Sequence, residues 1–209
     1  MKSMQLVDQL TIFTRYPEPG QTKTRLIEAL GEEGAAALQR ELTEQTVHTI
    51  DQLVKTSTVE PVIYYEGGEL ASMQNWLGLN RSYKKQGAGD LGEKLNQAFA
   101  DAFSAGAQRV VTIGCDCPGL SKEHIHRAFD ALYLKDLVLG PATDGGYYLI
   151  GLKRPLDALF DHIPWSTDRV FEVTVSLAQQ LCLSFEILEE LHDVDRPEDL
   201  KHINHYSGA

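Results

Sequence analysis

The fold is decided by residues 91–140, LGEKLNQAFADAFSAGAQRVVTIGCDCPGLSKEHIHRAFDALYLKDLVLG. Apolar residues recur at helical spacing from Leu91 to Ala105, and Gly106 supplies a C-terminal stop. Val110 to Ile113 then reads as a buried strand, too short and too apolar for a surface helix. Ser121 opens a second helix with Glu123 and His124 in its first turn, and Leu137 to Leu139 starts another strand. A helix of this length between two apolar strands is a crossover connection, which joins parallel strands.

Reading outward extends the same alternation. Upstream, Leu10 to Phe13 is a first strand, Glu32 to about Val54 an amphipathic helix, Val59 to Tyr65 a strand, Leu70 to Leu77 a helix and Ser82 to Gln86 a short strand. Downstream, Tyr147 to Leu152 and Phe185 to Leu188 read as strands, and Pro155 to Ile163, Val170 to Cys182 and Pro197 to Ile203 as helices, the last with proline at its first position. The expectation is a single α/β domain over residues 1–209, its mostly parallel sheet covered by helices on both faces.

The composition excludes several classes. A formal charge of −11 argues against binding nucleic acid, whose affinity comes from massed Lys and Arg. No run approaches the roughly 18 apolar residues of a membrane span, and the start MKSMQLVDQL lacks the apolar core of a secretory signal, so a cytoplasmic location is expected. Three cysteines, Cys115, Cys117 and Cys182, fit reduced thiols better than a disulfide framework.

Ligands of open α/β sheets bind beyond the carboxyl ends of the strands, and four such loops are unusual. The first, Arg15 to Arg25, sets Arg15, Lys23 and Arg25 against one acid, Glu18, and is an anion site by composition unless it is a solvated loop. The second, Gly114 to Gly119, places Asp116 at a strand end, where a carboxylate suits Mg²⁺; capping of the next helix and a Cys115/Cys117 zinc site are the alternatives. The third, Gly140 to Tyr148, offers Asp144 to a sugar hydroxyl or cation, with Gly145 and Gly146 allowing close backbone approach; a local Asx turn is the alternative. In the fourth, Asp193 and Asp195 are positioned to complete a metal site with Asp116, unless Asp195 only caps the last helix.

Taken in order, these loops resemble the nucleotide-diphospho-sugar transferase superfamily, whose fold is called GT-A. FTRYPEPGQTKTRL, GDLGEKL, IGCDCPGL, GPATDGGYYLIGL, IPWST and DVDRPEDL look more closely like the rSAM/selenodomain-associated transferase 1 family. The likeness to 2-phospholactate and molybdenum-cofactor guanylyltransferases is more distant. The resemblance implies a Mg²⁺-dependent (or Mn²⁺-dependent) transferase that acts on a nucleotide or nucleotide-sugar and a small-molecule acceptor. Lys23 and Arg25, with Arg15 beside them, then meet nucleotide phosphates, while Gln86, Gly89, Asp90 and Gly92 fall where relatives recognise the base. Asp116 and Asp195 match the metal carboxylates. Asp144, Gly145 and Gly146, with Trp165, Ser166 and Thr167, match the second-substrate side. Two departures are visible: the first loop has only Gly20 and two prolines, and Asp116 stands alone between cysteines. Nucleotidyl transfer from a triphosphate to a phosphorylated acceptor is expected, with glycosyl transfer and a non-catalytic nucleotide-binding module as the alternatives.

Overall fold

The computed structural model describes residues 7–203; the ends of the expected 1–209 domain lie outside them. In chain order the elements are β1 (Val7–Arg15), α1 (Ile27–Leu53), β2 (Glu60–Glu66), α2 (Leu70–Leu77), β3 (Ser82–Lys85), α3 (Leu91–Ser104), β4 (Ala107–Ile113), α4 (Lys122–Ala131), β5 (Leu137–Pro141), β6 (Tyr147–Leu152), α5 (Val170–Gln180) and β7 (Phe185–Ile187). Short 3-10 turns occupy Thr24–Leu26, Asp157–Leu159 and Pro197–His202. Among the described residues the strands form one seven-stranded sheet in the order β3-β2-β1-β4-β6-β5-β7.

Only β6 runs against its neighbours among the described strands, pairing antiparallel with both β4 and β5. The cause is the length of the connection. Residues 142–146 are too few for a crossover, so the chain turns back as a hairpin, whereas the helical connections before it return the chain parallel and the one through α5 then restores that direction in β7. The register slips between Gly140 and Pro141: Gly140 faces Leu149 but Pro141 faces Tyr147, which leaves Tyr148 as the extra residue of a β-bulge.

Side chains from alternate strand positions divide the core into two layers. Val47 and Ile50 of α1, Met73 of α2 and Ile125 of α4 pack on Leu10, Val111 and Leu149. On the opposite face Leu95 and Phe99 of α3 and Ala178 of α5 pack on Val110, Ile150 and Leu152. Each fully buried large side chain, such as Phe99, contributes about 1.5–3 kcal/mol by leaving water.

Three expectations shift. Helix α1 begins at Ile27, but Gly31 (φ 71°, ψ 169°) breaks it, so its uninterrupted part starts at Glu32 as the spacing predicts. Between Pro155 and Ile163 there is only the Asp157–Leu159 turn: Leu156 (φ −144°) and His162 (φ 60°) leave the helical region, and Leu159 and Phe160 serve as a buried anchor. The Pro197 segment is a 3-10 turn rather than an α-helix.

Candidate active site

The first loop ends in a left-handed residue, Lys23 (φ 45°, ψ 48°), directly before the Thr24–Leu26 turn. That unusual backbone carries the lysine inward, leaving its side chain only 4% exposed. Its Nζ donates to Asp116 Oδ1 at 2.7 Å and to the carbonyl of Val194 at 2.6 Å. Burial works against the charge, but Asp116 chiefly, then Asp195 and Asp193, hold the ammonium above its ordinary value. Two residues on, Arg25 forms an ion pair with Asp195 through Nη1. Arg15 is engaged elsewhere: it bonds Glu66 at 2.6 Å and the carbonyl of Gln21 at 3.1 Å.

The two acidic loops bury different residues. In Cys115-Asp116-Cys117 both thiols are buried and the carboxylate between them points out, half exposed. In Asp193-Val194-Asp195 the valine is fully buried among Leu26, Leu38 and Leu42, and a bond from Val194 N–H to Asp116 O (2.9 Å) fastens this loop to the other. Beside it the Asp195 side chain stays partly exposed. Asp193 is buried and accepts from Thr143 Oγ1 at 3.3 Å; burial, and secondarily Asp144, raise its pKa. Asp195 does not cap the last turn with its side chain; Asp199 Oδ2 instead accepts from the backbone N–H groups of Asp195 and Arg196. Ser121 and His124 cap α4, so Asp116 is not consumed as a helix cap. Burial pushes the Cys115 thiol up to about 12 and the Cys117 thiol higher still, and both pack into the core.

Two clefts flank these carboxylates. The smaller, about 410 Å³, is lined by Arg15, Lys23, Arg25 and Gln86; the larger, about 890 Å³, by Asp144, Thr167, Trp165, Asp168, Asp193 and Asp199. Asp116, Asp195 and Arg25 line both. The sequence therefore singled out the seam between the clefts, together with parts of each wall.

The remaining candidates take positioning tasks. The Gln86 amide group donates to the carbonyls of Thr14 and Tyr64, tying the ends of β1 and β2. Gly89 (φ 100°), Asp90 and Gly92 line neither cleft. Asp90 caps α3 by accepting from Glu93 N–H, while Glu93 returns the bond to Asp90 N–H, both at 2.9 Å. A side chain on Gly92 would strike Trp165 Nε1, its Cβ lying at 2.3 Å, so the glycine lets the indole lie against the start of α3. Asp90→Ala is expected to cost about 1 kcal/mol of stability in chemical denaturation, the usual cost of a lost N-cap. Nucleotide affinity should stay unchanged if capping is its whole task.

In the hairpin, Asp144 Oδ1 accepts from Gly146 N–H at 2.8 Å, the local Asx turn, while the residue still lines the larger cleft. Gly145 (φ 86°) presses on the Asp168 carbonyl and accepts from Phe171 N–H at 2.8 Å. Ser166 adopts φ 65°, and Thr167 Oγ1 donates to Pro164 O at 2.7 Å, which fixes the Trp165 loop. The sequence reading passed over Thr112 and Tyr147. Both line the larger cleft, and their buried hydroxyls make no hydrogen bond; their places inside apolar strands gave no signal.

A metal would have to fit two carboxylates, each already facing a cation. Among the described residues no cluster of three or more His, Cys, Asp or Glu forms a cage. Two carboxylates match Mg²⁺ or Mn²⁺, which retain water and substrate oxygens in their shell; zinc would want a fuller protein set.

Residues 49–167 match the family described as "Uncharacterized protein conserved in bacteria (DUF2064)". No curated protein matches the chain. A solved structure from Desulfovibrio desulfuricans G20, provisionally named a nucleotide-diphospho-sugar transferase, is 32% identical with a TM-score of 0.87, covering 97% of this chain and 88% of that one. Two others share the fold at low identity. CMP:2-keto-3-deoxy-manno-octonic acid synthetase complexed with CTP has TM-score 0.59 and 8% identity over 96% and 98% of the two chains. Rv0371c from Mycobacterium tuberculosis H37Rv, complexed with manganese, has TM-score 0.58 and 13% identity over 95% and 99%. Among the described residues no helix is long and apolar enough to cross a membrane.

Proposed function

We propose, from the premise that this chain belongs to the DUF2064 family and folds as a nucleotide-diphospho-sugar transferase, that it is a divalent-metal-assisted transferase acting on a nucleotide. The observation that carries this reading is the placement of Asp116 and Asp195, with Lys23 and Arg25 paired to them, on the seam between two clefts. The finer resemblance to the rSAM/selenodomain-associated transferase 1 family, and a cytoplasmic location, belong to the same proposal.

Asp116 and Asp195 would hold Mg²⁺ or Mn²⁺; when bound, such an ion neutralises phosphate charge and orients the phosphates. Lys23 and Arg25 exchange their carboxylate partners for phosphate oxygens, Arg25 with a planar fork suited to bidentate contact. The chain supplies position and charge, and no covalent nucleophile is required. The smaller cleft, which gathers Arg15, Lys23 and Arg25, takes the nucleotide phosphates, and the larger one takes the second substrate. Lys23 and Arg25 together favour a triphosphate whose pyrophosphate departs toward them.

The name of the Desulfovibrio relative favours a second reading, glycosyl transfer from a nucleotide-sugar. Products separate the two. Incubation with Mg²⁺, each nucleoside triphosphate and a metabolite extract should release pyrophosphate; release of a nucleoside diphosphate from nucleotide-sugars, without pyrophosphate, replaces the first reading with the second. Lys23→Ala and Arg25→Ala should each weaken Mg²⁺-nucleotide binding in calorimetry by about 1.5–3 kcal/mol, or about ten- to a hundredfold. Unchanged affinity in the double variant would move the phosphates elsewhere.

A further inference from the structure

The larger cleft does not end at the carboxylates. It runs inward between the sheet and α3, where Phe13, Leu95, Tyr147, Ile150, Trp165 and Val170 line it. Such a wall accepts an apolar body, and the indole of Trp165, set edge-on to Tyr147 with ring centroids 6.3 Å apart, gives it a flat side.

Inside this apolar wall lie two hydroxyls without partners. Thr112, 3% exposed at the centre of the sheet, pairs through its backbone with Thr11 on one side and Ile150 on the other, yet its Oγ1 bonds nothing. The Tyr147 hydroxyl makes no bond of normal geometry either, although the Thr174 hydroxyl, which donates to the Val170 carbonyl at 2.8 Å, lies near it with lone pairs still free to accept. Native interiors rarely leave a buried hydroxyl unsatisfied, so a pair lining one cleft points to a ligand that completes them.

The charged lining of the cleft is acidic. Asp144, Asp168, Glu198, Asp199 and the buried Asp193 line it with Asp116 and Asp195, against Arg25 and Arg196. One divalent cation on the seam does not reverse that balance. A phosphate monoester entering here would meet like charge and lose its hydration in exchange for carboxylates.

We infer that the second substrate is an uncharged or cationic small molecule with a compact apolar or ring-bearing body and a hydrogen-bonding group at its buried end, rather than the phosphorylated acceptor that the sequence leads one to expect. This rests on the transferase reading above for the word substrate, but the pocket itself does not.

Three probes with one ring and different charge test it: 2-phenylethanol, 2-phenylethylamine and 2-phenylethyl phosphate. Each is titrated into ¹⁵N-labelled protein with Mg²⁺, to about 10 mM, a level that suits a fragment of ordinary ligand efficiency, and followed on the Trp165 indole N–H signal. The alcohol and the amine should bind at least about tenfold tighter than the phosphate, a difference of about 1.4 kcal/mol. Equal or tighter binding of the phosphate overturns the charge selection, and no shift of the Trp165 signal overturns the pocket. Thr112→Val, which keeps the shape, should weaken the alcohol about fivefold without lowering the melting temperature, since the lost hydroxyl had no partner. Unchanged alcohol affinity, or a destabilised protein, denies Thr112 that role. Calorimetry of the four common ribonucleoside triphosphates on the same samples separates the two readings. Triphosphate binding without probe binding fails the pocket alone, and probe binding without triphosphate binding fails the transferase alone.

Discussion

Asp116→Asn should lower Mg²⁺-dependent nucleotide affinity by about a hundredfold or more, because loss of a direct metal ligand exceeds the ten- to hundredfold cost of disturbing its supporting residues. The same change should destabilise the protein, since the buried Lys23 loses its charged partner and keeps only neutral acceptors in contact, the Val194 carbonyl and the new amide oxygen, with Asp193 and Asp195 further off. Breaking a fully buried pair costs several kcal/mol, but Asp116 is half exposed, so about 1–3 kcal/mol is expected. The pH dependence has a definite sign. In the parent, Lys23 titrates above its ordinary 10.5, so its ion pair stabilises fully below that pH and is lost as pH rises through the higher folded value. Asp116→Asn should remove this alkaline limb from the stability profile. Unchanged Mg²⁺-nucleotide affinity in calorimetry would refute the metal assignment, and unchanged stability would refute the coupling to Lys23.

Gly145→Ala should be among the most destabilising single-methyl changes in the chain, by about 3 kcal/mol or more. A left-handed alanine costs about 1–2 kcal/mol, and its Cβ would lie 2.0 Å from the Asp168 carbonyl oxygen, which is backbone and cannot swing aside. Relief requires separating the hairpin from the Trp165 loop, with loss of the bond from Phe171 N–H to Gly145 O. Gly146→Ala is the control. It has no positive φ, and its Cβ approaches only the Asp144 side chain, at 3.0 Å, so denaturant midpoints should separate the two variants clearly. Similar midpoints would show that the contact between the hairpin and the 165–168 loop is not tight.

The helix and strand alternation was legible because periodicity survives without tertiary information: α3, β4, α4 and β5 fall close to where spacing puts them. The reversed β6 was not, since a strand carries no mark of its direction and only the short 142–146 connection dictates it. Lys23, Arg25, Asp116 and Asp195 were legible as charges at strand ends, and the structure brings them together as two ion pairs. That Arg15 would be engaged by Glu66 depends on a residue 51 positions away, and that Asp90 would cap a helix depends on a local choice between equal partners. Thr112 was invisible for a different reason: a threonine inside an apolar strand ordinarily packs as a β-branched residue, and only its lack of a partner distinguishes it.

The bulge at Tyr148 means that β6 is read in two frames. From Leu149 onward the odd positions face α4 and the even ones α3, but the extra residue shifts the phase, so Tyr147 joins the α3 side while Tyr148 packs over Gly140 and against His124. Deleting Tyr148 would remove the bulge and leave Tyr147 and Leu149 on the faces they already have, whereas inserting one more residue beside it would act on this strand as a frameshift acts on a message: Tyr147 would exchange the cleft for the opposite layer, while every residue after it kept its meaning.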